Sequence, residues 1–277
     1  CAHLLNSDGS LIDGSRDTYA QAFLLLASSW RYRAFNDPQS LECLEKTTEF
    51  LNTFLKADNE GWVEGIPKHL PRRQNPHMHL FEAFLAAYEA TSDQKFMKLA
   101  GDIFSMFESK FFDKNTHTLL EFFDNEWQSD AKTGHLTEPG HMMEWCWLIH
   151  WYSRLSGRDV TDYAESLYQT GIRIGTNNVN GLIVNEVHIQ GNITDTSSRL
   201  WPQTEYIKAN IARAEEGLLG AEEKAAEMID RIFSYFLDVP ILGGWHDERD
   251  FSGNIISISM PSSTFYHIFC VAAEVQK

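Results

Sequence analysis

The chain has 277 residues, 43% hydrophobic and 22% charged, enough to bury a sizeable core with no composition break to mark a second domain. Thirty-nine acidic against 23 basic residues give a formal charge of −16, which argues against nucleic acid and anionic membrane as partners. Four cysteines without C-x-x-C spacing, no signal peptide and no apolar run of membrane-span length point to one cytoplasmic domain over residues 1–277, monomeric or homo-oligomeric, in a reducing compartment.

Residues 1–16 read as a loop with turn signals at Asp8-Gly9 and Asp13-Gly14. Cys1 opens the chain inside that loop, where a Met would otherwise stand. This reads as the loss of about three N-terminal helices from a larger protein; a lipid-bearing Cys1 is the weaker reading, because no Ser/Gly-rich tether follows. The first helical run, YAQAFLLLASSW, begins after Arg16-Asp17-Thr18. Prolines that could open a helix then recur at Pro76, Pro139, Pro202 and Pro261, at intervals of 63, 63 and 59 residues. Proline at a first helical position costs no hydrogen bond and pre-sets the backbone angle. Each proline leads an apolar segment (HMHLFEAFLAAY, GHMMEWCWLIHWY, QTEYIKANIARA, SSTFYHIFCVAA), and between them lie more charged helical patterns over about 39–56, 94–111, 159–175 and 218–238.

A period near 60 residues holding two helices is the mark of a helical-hairpin array. Apolar helices ringed by charged ones predict an all-α fold, an α/α toroid. A closed ring of six hairpins would need about 360 residues, so this chain holds about four and a half and is N-terminally incomplete as a ring. Residues 117–123 alternate weakly as a short strand, and 181–193 read as a β-hairpin in a rim loop.

In such a ring the residues just after each proline share one mouth: His77, His79 and Glu82; His141 and Glu144; Gln203 and Glu205; and His267. Arg72 and Arg73 precede the Pro76 helix and could hold a sugar phosphate or pair with structural acids. Trp62, Trp201 and Trp245 could face a sugar ring or pack in the core. Three chemistries compete. His77-x-His79 and His141-x-x-Glu144 could supply metal ligands, but positions two apart on a helix diverge, so no metal is expected. Glu144, Glu205 and Asp247 could serve a glycosidase, though histidines outnumber acids at the helix starts. Two imidazoles suit proton transfer α to a carbonyl, as in aldose–ketose isomerisation or 2-epimerisation.

RRQNPHMHLFEAFLAAYEAT, EPGHMMEWCWLI, RLWPQTEYIKA and STFYHI resemble the N-acylglucosamine 2-epimerase superfamily, in the branch of bacterial mannose isomerases and their mannose-6-phosphate isomerase-like relatives. The resemblance implies an (α/α)6 barrel, no cofactor, and metal-free proton transfer on a small sugar by His141 and His267. By motif match Asn75 and His79 would bind sugar hydroxyls and Glu144 would support His141. Trp201, Gln203 and Glu205 match the start of the fifth inner helix, and Trp245 and Asp247 complete the expected substrate contacts. The family's Gln-Ala-Arg motif has no counterpart, since Gln21-Ala22-Phe23 falls in the second inner helix by the repeat count.

Overall fold

The computed structural model describes residues 4–277; Cys1, and with it any reading of that thiol, lies outside the described residues. The chain forms two compact units, residues 4–112 with 120–135, and residues 113–119 with 136–277. Nine α-helices are found among the described residues, each falling on one of the helical patterns.

The first unit contains α1 (Thr18–Phe35), α2 (Pro38–Phe50), α3 (Asn75–Thr91) and α4 (Gln94–Met106). Helix α1 packs on α3, and each carries the helix that follows it in sequence against its side. Asp17 caps α1 by accepting from Ala20 N at 2.5 Å, and Asp93 caps α4 through Lys95 N at 2.9 Å. Both satisfy donors that the first turn leaves unpaired. The turns between paired helices pass through left-handed residues, Asn36 at φ 49° and Ser92 at φ 58°, where a short polar side chain tolerates that backbone. In α3 twelve of 17 residues are buried, against four of 13 in α2. That difference is the inner and outer layering that the charge pattern predicts.

The second unit contains α5 (Pro139–Ser156), α6 (Thr161–Gly175), α7 (Leu200–Glu215), α8 (Ala221–Ile232) and α9 (Ser262–Val275). Helix α7 lies between α5 and α9, with α6 against α5 and α8 against α7. Fourteen of the 18 residues of α5 and 13 of the 16 of α7 are buried, so these two helices are the core of the unit. Gly175 of α6 allows the α5 start to sit close: a Cβ there would lie 2.3 Å from Cβ of Pro139. Helix α9 differs from the expectation of an all-round buried helix. Only Thr264, His267 and Val271 are buried, and Phe265 and Phe269 face outward.

Three outer helices end in a π-helical turn, at Leu51–Leu55, Phe107–Phe111 and Phe233–Leu237. The more charged helical patterns over 39–56, 94–111 and 218–238 run straight through these turns, and nothing in the spacing marked the change of winding. Strands are short and confined to connections. The hairpin expected at 181–193 is displaced: Glu186–His188 pairs with Ile193–Asp195, while 182–184 run extended beside Thr176. The 117–123 segment holds two separate two-residue strands, Thr118–Leu119 and Phe122–Phe123. No helix among the described residues is long and apolar enough to cross a membrane.

Candidate active site

In the second unit the starts of α5, α7 and α9 meet. Trp201, in the first turn of α7, has its indole 5.0 Å from the His141 ring and 5.4 Å from the His267 ring, at interplanar angles of 39° and 35°. One indole therefore touches both imidazoles. The approach depends on Gly140, where a Cβ would fall 2.6 Å from the Trp201 ring and 2.9 Å from Pro202. His141 Nδ1 lies 3.8 Å from a carboxylate oxygen of Glu138, an acid the motif reading passed over.

His267 is held on its other side. Its Nδ1 donates to Glu205 Oε1 at 2.7 Å, which fixes the tautomer with the lone pair on Nε2. Glu205 is fully buried, and its second oxygen lies 2.7 Å from Nζ of Lys208, also fully buried, whose ammonium rests 3.7 Å above the Trp147 ring. Burial pushes the Glu205 carboxyl up, but the Lys208 charge and the His267 hydrogen bond outweigh it and hold the group below its ordinary value. Glu144, fully buried, brings a carboxylate oxygen within 4.8 Å of ligand atoms of Glu205 and His267. Those three atoms are spaced to grip a cation. The ammonium of Lys208 already supplies positive charge to Glu205, and a metal ion beside it would meet like-charge repulsion.

A cleft of about 480 Å³ opens beside Trp201, lined by the carboxylates of Glu138, Glu186, Asp195, Asp247 and Glu248 with Arg199 as the cation facing them. Asp247 accepts from Nε and NH2 of Arg199 at 3.3 and 3.2 Å and from Thr264 Oγ1 at 2.6 Å. It thereby ties the cleft wall to the first turn of α9. Gln203 is turned inward: its amide exchanges hydrogen bonds with Ile183 N and O and donates to Arg199 O, at 2.8, 2.9 and 2.8 Å. Trp245 stacks on Phe265 with centroids 6.2 Å apart.

In the first unit His79 is buried, its Nδ1 3.3 Å from Glu82 and its ring against Tyr19 and Phe23; Asn75 is the first residue of the same helix. His77 is locked. Its Nδ1 donates to Arg73 O at 3.1 Å, and its Nε2 accepts from Trp62 N at 3.0 Å. Burial, aided by the charges of Arg72 and Lys56 and opposed by the Arg73 carbonyl, drives it down to about 3.

The expected phosphate ligands are largely engaged elsewhere. Arg72 is buried, lies 3.6 Å from the Trp127 ring and donates to Asn59, Asn125 O, Glu60 O and Trp62 O. It pins a loop. Arg73 pairs with the buried Glu64 through Nε and NH2, both at 2.9 Å, yet its half-exposed side chain also lines a cleft of about 510 Å³ with Arg16 and His69.

Lys208, Glu138 and Arg199 were not among the residues singled out from sequence. The signal for Lys208 was available: a lone lysine in an apolar helix, three residues after a glutamate, has to be paired. The pairing of Glu205 with His267 spans 62 residues and left no local trace.

The chain is 34% identical to the mannose-6-phosphate isomerase of Rhizobium meliloti (strain 1021), across 99% of this chain and 73% of that protein. It is 24% identical to the cellobiose 2-epimerase of Dictyoglomus turgidum, across 93% of this chain and 69% of that one. The crystal structure of a D-mannose isomerase superposes with a TM-score of 0.87 at 20% identity, covering 97% of this chain and 73% of that one. That likeness fixes the fold as all-α, of the (α/α)6 toroid class. The family model for N-acylglucosamine 2-epimerases matches residues 1–271, a span that takes in all nine helix starts and both imidazoles beside Trp201, and on that match the chain belongs to the N-acylglucosamine 2-epimerase family.

Proposed function

We propose that this chain is a cytoplasmic sugar isomerase of the mannose–fructose type, with His141 and His267 as an acid–base pair that moves protons through an enediol. The observation that carries this reading is the shared contact of the two imidazoles with the Trp201 indole, with His267 oriented by a buried carboxylate. One imidazole removes the proton α to the sugar carbonyl while the other passes a proton to the carbonyl oxygen, giving the enediol. The first then returns the carbon proton to the neighbouring carbon while the second takes the O2 hydroxyl proton, which gives the ketose and restores both imidazoles. The cleft of hydrogen-bonding side chains beside Trp201 suits a polyhydroxyl ligand. The names of the isomerase relatives support the same substrate class.

A 2-epimerase is the second reading, favoured by the cellobiose 2-epimerase relative. It shares the first proton removal and differs in returning the proton to the opposite face of the same carbon. Within the first unit Arg72 is committed to the loop, so Arg73 with Arg16 and His69 is the group there that could meet an anion.

The test is incubation with mannose and, separately, mannose-6-phosphate in D2O, followed by proton NMR. Deuterated fructose or its phosphate is the expected product. A C2 epimer would establish the second reading, and a ketose formed without solvent deuterium would sink enediol chemistry.

A further inference from the structure

We infer that Lys208 is a positioning residue that sets the proton affinity of His267 through Glu205. This rests on His267 serving in proton transfer as proposed above. Lysine is rarely fully buried without a partner, and removing a buried ammonium's water is costly unless a charge repays it. Lys208 is repaid by Glu205, three residues earlier on the same helix, and by the electron-rich face of Trp147 on α5. Glu205 spends its remaining oxygen on His267.

The ionisable groups around His267 include Glu205 and Lys208 from α7 and Glu144 from α5. The Lys208 ammonium offsets the carboxylate of Glu205, the group that touches the imidazole. Without Lys208 that carboxylate would act on His267 uncompensated and shielded from water, and an imidazolium there would be held more tightly. Lys208 therefore tempers the pull of Glu205 on the His267 proton.

The experiment follows the His267 Cε1–H resonance with pH in the unmodified chain, Lys208→Met and Lys208→Arg, alongside pH–rate profiles. In Lys208→Met the His267 titration is expected to move alkaline by at least about one pH unit, with kcat falling at neutral pH and KM little changed. Lys208→Arg keeps the charge and is expected to restore most of the profile. Should Lys208→Met fail to fold with a lone carboxylate buried, Lys208→Met combined with Glu205→Gln removes both charges. In that variant the titration is expected to lie well to the acid side of the Lys208→Arg chain, which keeps the Glu205 charge on the imidazole with its cation. An unchanged His267 titration in Lys208→Met, or equal titrations in Lys208→Met/Glu205→Gln and Lys208→Arg, would overturn the inference. The resonance is read without turnover, so an inactive chain would count against the isomerase reading and leave the Lys208 test intact.

Discussion

Both units place histidines in the first two turns of inner helices, and His77 and His267 are held in opposite ways. His77 in the first unit has both ring nitrogens claimed by backbone, Arg73 O on one side and Trp62 N on the other, and it stands edge-on to Phe111 and Trp127. His267 in the second unit has one nitrogen on a carboxylate, and its ring lies against the indole that also touches His141. Sequence position within the repeat is the same kind of position in each case. What separates these two imidazoles is the identity of their partners. A carboxylate stabilises the imidazolium that proton transfer creates, whereas a backbone pair fixes the neutral ring in place.

The sharpest way to break that contrast is alanine at each histidine. His141→Ala or His267→Ala is expected to lower kcat by about 10³-fold, within the range for loss of a general acid or base, with the thermal midpoint little changed. His77→Ala is expected to do the reverse. It empties a buried aromatic cage and orphans the Trp62 N–H, costing about 3 kcal/mol of stability, while kcat of the folded fraction stays within a few-fold. Denaturant unfolding with turnover measured on the same samples checks both. A large kcat loss in His77→Ala with stability intact would place His77 in the chemistry and dissolve the distinction.

The contrast was only half legible in the sequence. Proline spacing and apolar runs located the five inner helices, and the more charged helical patterns between them the four outer ones, because burial and helix initiation are written in neighbouring residues. The Pro139-Gly140-His141 turn was also legible, and the structure supplies the reason for its glycine in the approach of Trp201. The partners of each side chain were not, since they come from other helices. Arg72 and Arg73 look alike in sequence, but one is buried under Trp127 by a loop fifty residues on and the other reaches a cleft. Gln203, expected to face a sugar, binds the backbone of Ile183 twice. The three π-helical turns also escaped notice, because an apolar pattern of a few residues fits either winding.

Gly140→Ala tests the geometry around Trp201 at a residue that carries no reactive group. The added methyl would meet the indole and Pro202 at 2.6 and 2.9 Å. Neither is the far end of a flexible chain, so the α7 start has to shift. Overpacking of this kind costs about 1–3 kcal/mol, and the displaced indole would carry its contacts with both imidazoles along. A roughly tenfold or larger fall in kcat is expected beside that loss. Unchanged kcat in a destabilised Gly140→Ala would mean that the Trp201 contacts do not set the histidine geometry.

The smallest effect sharpens the comparison from the second unit's own core. His150 on α5 is buried, with neither ring nitrogen hydrogen-bonded. Burial first, then the charges of Arg213 and Arg154 against the opposing Glu165, bring it down to about 4. His77 at about 3 behaves alike in the first unit. For a base depressed in the folded state, the full stability is present above the unfolded value near 6.5. It is lost as pH falls towards the folded value, because the unfolded chain takes up a proton that the folded chain refuses. Each histidine should therefore cost about 1.4 kcal/mol of stability per pH unit below about 6. His150→Leu removes one of these protons together with an unsatisfied polar ring, so stability at pH 7.5 should hold or rise by up to about 1 kcal/mol. The decline between pH 6 and 5 should become shallower by about 1.4 kcal/mol per unit. A slope identical to that of the unmodified chain would show that His150 meets its proton in the folded state as readily as in the unfolded one. The second unit would then have no histidine counterpart to His77.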